Sequence, residues 1–565
     1  MYVEDSTRRV MTFQRPRVNR VTVGLPRTHH LLEDILAKPS VRRALVWATR
    51  RDTEDKCFFM RLCENYANPD LDFSTRLRWV LPSLLIDLGL RKAKLDKAVM
   101  LEKLFHHPPT VKALALTAKS IGTYGLTVPQ RFAAPLFVVW NVTQACNLTC
   151  VHCYQDAKRR PDSDELTTEE KLDLIDQMAS EFVPFLAFAG GEPLMTPNFG
   201  RVLEHCQNRG IHVTLATNGV MLTPETCARL RDANVKYIEV SIDSLDPKEH
   251  DQFRGQRGAW ARATQGIRNS VAAGIRTGMA CCFTRETVHK ADDMVRFAID
   301  LGCQTFSHFN FIPVGRGKGI TDSDLTPGQR ELLMRQLQRH LAGGNINVIS
   351  TAPQFGRSCI AYGAQDGMFA TGHAGRGQGQ KTLVLSRYIG GCGAGRCYCC
   401  VQPNGIITPC VYIGSEKVGD IRQQSLKEIW NNPLFDVLAD REDRSDHCGV
   451  CDYRSYCGGC RARALAYTDD IQAGDPGCVY NQHVWDEIAQ ETGSLVASDT
   501  LPQDGKDGGN GKGTLTNDTG RLVQIMAVGS VEAAQMKDLA GLADEDVREI
   551  KGIAQQLKDL QSRPN

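Results

Sequence analysis

The stretch Trp140-Asn141-Val142-Thr143-Gln144-Ala145-Cys146-Asn147-Leu148-Thr149-Cys150-Val151-His152-Cys153-Tyr154 decides how the rest of the chain is read. It overlaps Pro135-Leu136-Phe137-Val138-Val139-Trp140-Asn141-Val142, a short run rich in β-branched and aromatic residues that reads as a buried parallel strand. Cys146, Cys150 and Cys153 therefore lie on the loop leaving that strand, at CxxxCxxC spacing. Three thiolates so close together suit three irons of a cubane 4Fe-4S cluster and leave the fourth iron without a protein ligand, where a small molecule can chelate. The competing reading is a structural zinc ion closed by a fourth ligand, for which His152 is at hand.

Outward from this loop, between 135 and 310, short apolar runs alternate with helical stretches, the pattern of repeated βα units around a parallel sheet. Strands are expected near 136–142, 185–189, 211–216, 236–242, 277–283 and 304–309, which make a partial barrel of six. Thr167-Thr168-Glu169-Glu170 has the form of a capping box opening the first helix, which runs on through Leu172, Ile175 and Met178. In such barrels chemistry gathers where strands end at their C-termini. At one such end, Gly190-Gly191-Glu192-Pro193 follows Phe185-Leu186-Ala187-Phe188-Ala189. Two glycines let backbone approach a ligand closely, and Glu192 or its neighbouring carbonyls can accept hydrogen bonds from an ammonium group. A plain tight turn is the alternative.

CxxxCxxC after a first strand, with Gly190-Gly191-Glu192-Pro193 about 40 residues on after a second, resembles the radical S-adenosylmethionine (AdoMet) superfamily. The resemblance implies an α/β fold, a partial (β/α)6 TIM-like barrel, with a cluster on Cys146, Cys150 and Cys153. AdoMet would chelate the open iron through its amino and carboxylate groups, with Gly190, Gly191 and Glu192 at the amino group. Ser241 and Asp243, at the fourth strand's end, are the ribose candidates. Asn218, at the third strand's end, joins the cofactor contacts, and His152 takes the position beside the adenine. His250-Asp251-Gln252-Phe253-Arg254-Gly255 and Ile312-Pro313-Val314-Gly315-Arg316-Gly317 resemble segments of cluster-rich subfamilies. Arg254 is suited to bind a carboxylate by its planar fork. Arg316 is expected to face an anionic group on AdoMet or substrate, or to be a surface arginine on a glycine-rich loop.

Ten cysteines then fall within 87 residues, from Cys392 to Cys478. Gly405 to Cys410 (GxxxxC), Cys448 and Cys451, Cys457 and the distal Cys478 resemble the SPASM extension, which houses two auxiliary 4Fe-4S clusters. That resemblance implies one auxiliary cluster on Cys448, Cys451, Cys457 and Cys478. The other would use Cys392, Cys410 and Cys460, with Cys399 completing it and Cys397 or Cys400 as substitutes. Two residues separate Cys457 from Cys460 where the pattern has three. Paired CxxC motifs also occur in zinc ribbons, although ten cysteines exceed what one zinc needs. Cys460-Arg461-Ala462-Arg463-Ala464 and the FxFxPxGRG run from Phe309 to Gly317 are most similar to members that alter haem-type tetrapyrrole side chains.

The composition fits this reading. A net charge of +2 over 565 residues gives no general pull toward nucleic acid or acidic substrates. The 21 cysteines are an odd number, clustered at short gaps, which suits metal clusters in a reducing compartment better than a disulfide framework. The N-terminus lacks an apolar signal core and no run of 18 apolar residues occurs, so a cytoplasmic protein is expected. The expected organisation is a flexible basic tail 1–30, a helical region 31–130, the barrel 131–345, a glycine-rich connector 346–390, a SPASM-like cluster domain 391–497, a linker 498–520 and a helical tail 521–565. Within the helical region, Trp79 to Leu90, followed by Arg91, Lys92 and Lys94, is either a core-packing helix or a peripheral membrane contact. Cys57 and Cys63 are expected as ordinary buried thiols.

The function implied is a radical AdoMet enzyme that draws electrons from a donor such as ferredoxin or flavodoxin and oxidatively modifies a small molecule. A tetrapyrrole side chain is the first substrate, with a lipid kept open. A peptide or protein maturase is the second reading, and a non-catalytic iron–sulfur carrier the third.

Overall fold

The computed structural model describes residues 33–52, 56–68, 105–363, 368–370, 376–493 and 495–496, with six single positions between 70 and 101. The basic tail, the linker, the helical tail and most of 69–104 lie outside the described residues.

Seven parallel strands run in chain order: β1 Phe137–Asn141, β2 Phe185–Ala189, β3 His212–Thr217, β4 Tyr237–Ser241, β5 Arg276–Cys282, β6 Thr305–Phe309 and β7 Asn347–Ser350. Helices cover the sheet, and side chains such as Val138, Leu186, Ile238 and Phe306 meet Ile175, Leu203, Ile267 and Leu337 in one core. Along β1 to β4 buried and half-buried positions alternate, whereas β5 and β6 are buried nearly throughout. Thr167 does cap the helix Thr168–Ser180 in a capping box with Glu170. All six expected strands are present within two residues.

The segment 346–390 departs from the expected connector. It opens with β7, paired on β6, followed by helix Gln354–Gly363, the two-stranded β8 Met368–Ala370 and β9 Arg376–Gln378, and helix Gly379–Ile389. A four-residue strand with polar ends carries too little periodicity to be seen alone.

The cysteine-rich region then adds to the same sheet. β10, Tyr398–Val401, pairs in parallel with β1 from Phe137↔Tyr398 to Trp140↔Val401, and β11 Ile406–Thr408 and β12 Gly419–Asp420 follow antiparallel. An unpaired β1 edge would leave backbone donors and acceptors open, and β10 covers it. The cysteine loop leaving β1 thus has β2 on one side and β10 on the other.

Helices Pro39–Ala48, Phe58–Ala67 and Pro108–Tyr124 form the described N-terminal region, where Cys57, Cys63 and Leu116 pack with Phe132 and Phe182. Burial pushes the Cys63 thiol up to about 12, in keeping with an inert buried thiol. Of the stretch 79–90, the Trp79 ring lies tilted against Phe58 at 5.1 Å and Asp87 accepts from Tyr66 Oη at 2.5 Å. The rest of that stretch lies outside the described residues. Among the described residues no helix is long and apolar enough to cross a membrane.

Candidate iron–sulfur and cofactor site

The loop carrying Cys146, Cys150 and Cys153 is clamped by three glycine-bearing segments. On one side the Gly191 N–H donates to Thr143 O at 2.8 Å and the Glu192 N–H to Ala145 O at 2.7 Å. A Cβ at Gly191 would stand 2.1 Å from Ala145 O, so only glycine allows the approach. On a second side Val151 N–H donates to Phe253 O at 3.0 Å and Thr149 N–H to Arg254 O at 3.3 Å. On the third, Arg316 donates its backbone N–H to Cys153 O at 3.0 Å, Nε to Cys150 O at 2.9 Å and Nη1 to Ala157 O at 2.8 Å. Gly315 is left-handed, φ +56°, and a Cβ there would lie 2.5 Å from Cys153 O. Arg316, whose Nη1 also pairs with Asp156 Oδ1 at 2.9 Å, therefore braces the loop, and the anion it faces is the protein's own.

Arg254 is likewise committed. Its Nε donates to Asp243 Oδ2 at 2.5 Å and its Nη1 points at Cys150 Sγ at 3.9 Å. Asp243 Oδ1 accepts from the Cys282 N–H at 3.0 Å. Burial pushes the Asp243 carboxyl up, but Arg254, with His152 and His250, outweighs it and leaves it below its usual value. Both oxygens of this ribose candidate are thus engaged within the protein. Ser241 sits half-buried at the last position of β4, opposite Ala280 of β5.

Glu192 is fully buried. Its Oε1 accepts from Thr217 Oγ1 at 2.7 Å and its Oε2 from the Asn218 N–H at 2.9 Å, tying the end of β2 to the end of β3. The side chain is a strut between the two strand ends. Asn218 Nδ2 in turn donates to Asn147 Oδ1 at 2.7 Å and points at Cys146 Sγ at 3.9 Å.

N–H groups also face the loop sulfurs: Leu148 to Cys146 at 3.4 Å and Ala157 to Cys153 at 3.5 Å. Burial pushes Cys146 up to about 12, with Glu192, Cys150 and Cys153 adding and the Leu148 N–H opposing. Donors aimed at sulfur favour the thiolate that an iron ligand must be. His152 stacks on Phe253 with ring centroids 4.2 Å apart. Burial, with Arg254 beside it, holds its imidazole near 3 and so neutral. Among the described residues no three His, Cys, Asp or Glu side chains gather as one ion would need. A cubane makes no such demand, because each thiolate binds a different iron.

The distal cysteines sort into two groups. Burial first, then the neighbouring thiols Cys478, Cys448 and Cys451, push the Cys457 thiol well up. Cys410 feels Cys392 and Cys460, and the three pack in one cluster. The short Cys457–Cys460 spacer works because Gly458 (φ +71°) and Gly459 (φ +64°) are both left-handed, which turns the two cysteines toward different groups.

Cys399 is a correction. β10 alternates, so Tyr398 and Cys400 face one side while Cys399 and Val401 enter the helix-covered core, fully buried. Tyr398 Oη reaches Cys410 Sγ at 2.8 Å. Cys400 Sγ meets Asn141 Nδ2 at 3.5 Å, and Cys397 packs toward the N-terminal cluster. The first auxiliary group is thus three thiols with a phenol at one of them.

Several features carried no sequence signal. Asn141, buried at the end of β1, donates to Gln155 Oε1 at 2.6 Å and Gln402 Oε1 at 3.2 Å and accepts from Tyr154 Oη at 2.9 Å, joining β1, the cysteine loop and β10. Beside this junction a cavity of about 590 Å³ lies between the loop residues Gln144, Tyr154 and Gln155 and residues of the cysteine-rich region such as Thr408, Tyr412 and Leu465. The Tyr154 and Tyr412 rings meet edge to face at 5.1 Å. The arginines of Cys460-Arg461-Ala462-Arg463, noticed only as a resemblance, are fully buried. Arg463 Nη2 donates to Asn310 Oδ1 at 2.6 Å and to Phe311 O at 2.7 Å, so the auxiliary region is locked onto the end of β6.

The Radical SAM superfamily profile matches residues 140–298 and the profile described as Iron-sulfur cluster-binding domain (SPASM) matches residues 392–460. The AdoMet-dependent heme synthase of Methanosarcina barkeri is 33% identical over 349 residues, 61% of this chain and 97% of that protein. The chain belongs to the radical SAM superfamily. As a radical SAM enzyme it takes a 4Fe-4S cluster and AdoMet, with auxiliary clusters in its SPASM domain. Other similar proteins are the Fe-coproporphyrin III synthase of M. barkeri, 26% identical over 60% of this chain and 87% of that protein, and the mycofactocin maturase MftC of Mycolicibacterium smegmatis, 29% identical over 61% and 83%. Among solved structures, Streptococcus suis SuiB superposes with a TM-score of 0.52 at 16% identity, covering 75% of this chain and 93% of that one, a likeness of fold.

Proposed function

We propose that this radical SAM enzyme oxidatively modifies a side chain of an iron-bearing tetrapyrrole. The observation that carries this reading is the 33% identity to an AdoMet-dependent heme synthase across 97% of that protein. The cavity beside Tyr154 and Tyr412 supports it by offering room between the loop and the auxiliary region.

In this reading Cys146, Cys150 and Cys153 hold the radical-generating cluster. AdoMet lies over the ends of β2 to β5, against the Gly190 and Gly191 backbone, Asn218, Ser241 and His152. Cys448, Cys451, Cys457 and Cys478 hold one auxiliary cluster, and Cys392, Cys410 and Cys460 the other. The domain boundaries follow from these sites: the barrel from 131 through β7, and the cluster domain from 391. When bound, the cluster supplies the electron that splits AdoMet into methionine and a 5'-deoxyadenosyl radical. The chain's own work is to hold: Arg316 and the glycine clamps fix the loop, Glu192 fixes β2 against β3, and Asp243 fixes Arg254 beside Cys150. A ferredoxin or flavodoxin is the proposed reductant and the cytoplasm the proposed compartment.

A peptide substrate is the second reading, favoured by the 29% identity to the maturase MftC.

The test incubates anaerobically reconstituted enzyme, AdoMet and reductant with carboxylated iron porphyrins and sirohaem derivatives, and reads products by mass. Loss of a side-chain carboxylate, matched by 5'-deoxyadenosine and absent in Cys150→Ala, establishes the reading. AdoMet cleavage with every porphyrin unchanged overturns it and turns the search to peptides and lipids.

A further inference from the structure

Seven arginines are buried among the described residues. Three have a carboxylate: Arg330 with Asp324, Arg357 with Glu331, and Arg463 with Asp324 and Asp475. For Arg396, Arg441, Arg444 and Arg461, exposed by 2, 4, 7 and 1%, no carboxylate of the described residues lies within ion-pair distance. Backbone carbonyls hold them instead. Arg441 donates to Arg454 O, Ser455 O and Gly390 O at 2.8, 2.7 and 2.9 Å. Arg444 Nη2 donates to Leu438 O and Arg461 Nη1 to Ala473 O, both at 2.7 Å. Nε and Nη1 of Arg444 and Nη2 of Arg461 are buried with no acceptor at all.

A buried cation without a counter-charge is strongly disfavoured, and an unmet buried N–H adds to the cost. These arginines stand among thiols of both auxiliary groups. Cys392 and Cys457 act on Arg441, and Cys392 and Cys448, ahead of the more distant Asp440, on Arg444. A Cβ at Gly459 would lie 2.4 Å from Arg461 Nη2 and 2.9 Å from Cys448 Sγ. A cubane held by thiolates supplies what is missing, since it carries net negative charge and its sulfurs accept N–H bonds.

We propose that Arg441, Arg444 and Arg461, placed between the two auxiliary sites, are the counter-charges of the auxiliary clusters and hold them at a higher reduction potential than the radical-site cluster. Cluster potential follows net charge and hydrogen bonds to sulfur, and each guanidinium stabilises the reduced, more negative state. Higher auxiliary potentials suit them to take up an electron. The inference rests on the two cysteine groups being cluster sites and is independent of the substrate.

The test uses the full chain with Cys146, Cys150 and Cys153 all changed to Ala, reconstituted anaerobically, so that the auxiliary clusters are read alone. Iron and sulfide are counted, and the clusters are titrated electrochemically with EPR detection. In Arg444→Met and Arg461→Met the ratio of oxidised to reduced cluster at fixed potential should rise about tenfold, ~59 mV for one electron, while Arg444→Lys stays near the parent. Unchanged midpoints in the Met variants, or a Lys variant shifted as far as Met, overturn the proposal. If Arg444→Met loses its iron, retention in Arg444→Lys but not in Arg444→Gln supports the counter-charge role, and loss in all three overturns it. A parent that binds no auxiliary iron also overturns it. The assay contains neither AdoMet nor substrate, so failure here is distinct from failure of the tetrapyrrole reading.

Discussion

Arg254 and Arg444 are both guanidinium groups packed beside cysteine thiols, and they differ in one respect: Arg254 is ion-paired with Asp243, whereas Arg444 makes no ion pair among the described residues and feels Asp440 only from farther off. At the radical site the protein neutralises its own cation, so the pair orients Cys150 without adding net charge. In the auxiliary region Arg441 and Arg444 are held by backbone carbonyls and stand beside cysteine thiols. The same residue type thus keeps a low potential at the cluster that must give up an electron, and raises it where an electron is to be received.

Removing a radical-site ligand has the largest expected effect. Cys150→Ala should lower 5'-deoxyadenosine formation by at least about a thousandfold, the scale seen when the group carrying the chemistry is lost. An active Cys150→Ala would break the comparison at its root. Asp243→Asn comes next, because it makes Arg254 resemble Arg444. Breaking one half of a buried pair costs about 3–5 kcal/mol, so the unfolding midpoint should fall. The radical-site potential should rise and AdoMet cleavage slow. Changing Arg254 to Met in the same chain should recover part of the midpoint, since no charge is then left unpaired.

Cys410→Ala and Cys399→Ala separate the two faces of β10. The first should lose auxiliary iron; the second should keep its full iron content and cost about 1 kcal/mol for a small core cavity. Equal iron loss in both would restore Cys399 as a ligand. The smallest effect is at Glu170, where the Arg422 hydrogen bond first, opposed by burial and helped by the Thr167 N–H, holds the carboxyl near 2. Its folded value lies below the unfolded value of about 4.3. The pair's stabilisation is therefore complete above that pH and lost as pH falls toward 2. For a partly exposed pair this is at most about 1 kcal/mol. The midpoint difference between wild type and Glu170→Gln should vanish over that range, and a constant difference would contradict it.

Much of the site is legible because its motifs are local. Cys146, Cys150 and Cys153 share one loop, and Gly190 and Gly191 follow one strand, so spacing alone places them. Ligand assignment in β10 was less readable. Tyr398-Cys399-Cys400-Val401 is buried on both faces, and an unbroken apolar run does not reveal which alternate positions face which side. Arg316 and Arg254 have the anion-binding chemistry of an arginine beside glycine, but the carboxylates they meet are the protein's own, Asp156 and Asp243, a pairing that only the folded chain reveals.

By itself the sequence determined the βα order of the barrel, the thiol loop after the first strand, and two further clusters of cysteines. All of these follow from short-range period and spacing, which local sterics and hydrogen bonding convert directly into structure. Tertiary structure alone decided that β10 joins β1, that Gly458 and Gly459 turn Cys457 and Cys460 apart, and that the auxiliary arginines lack carboxylates while Arg254 has one. Pairing across a sheet and the charge around a buried group depend on which distant segments meet in the folded chain.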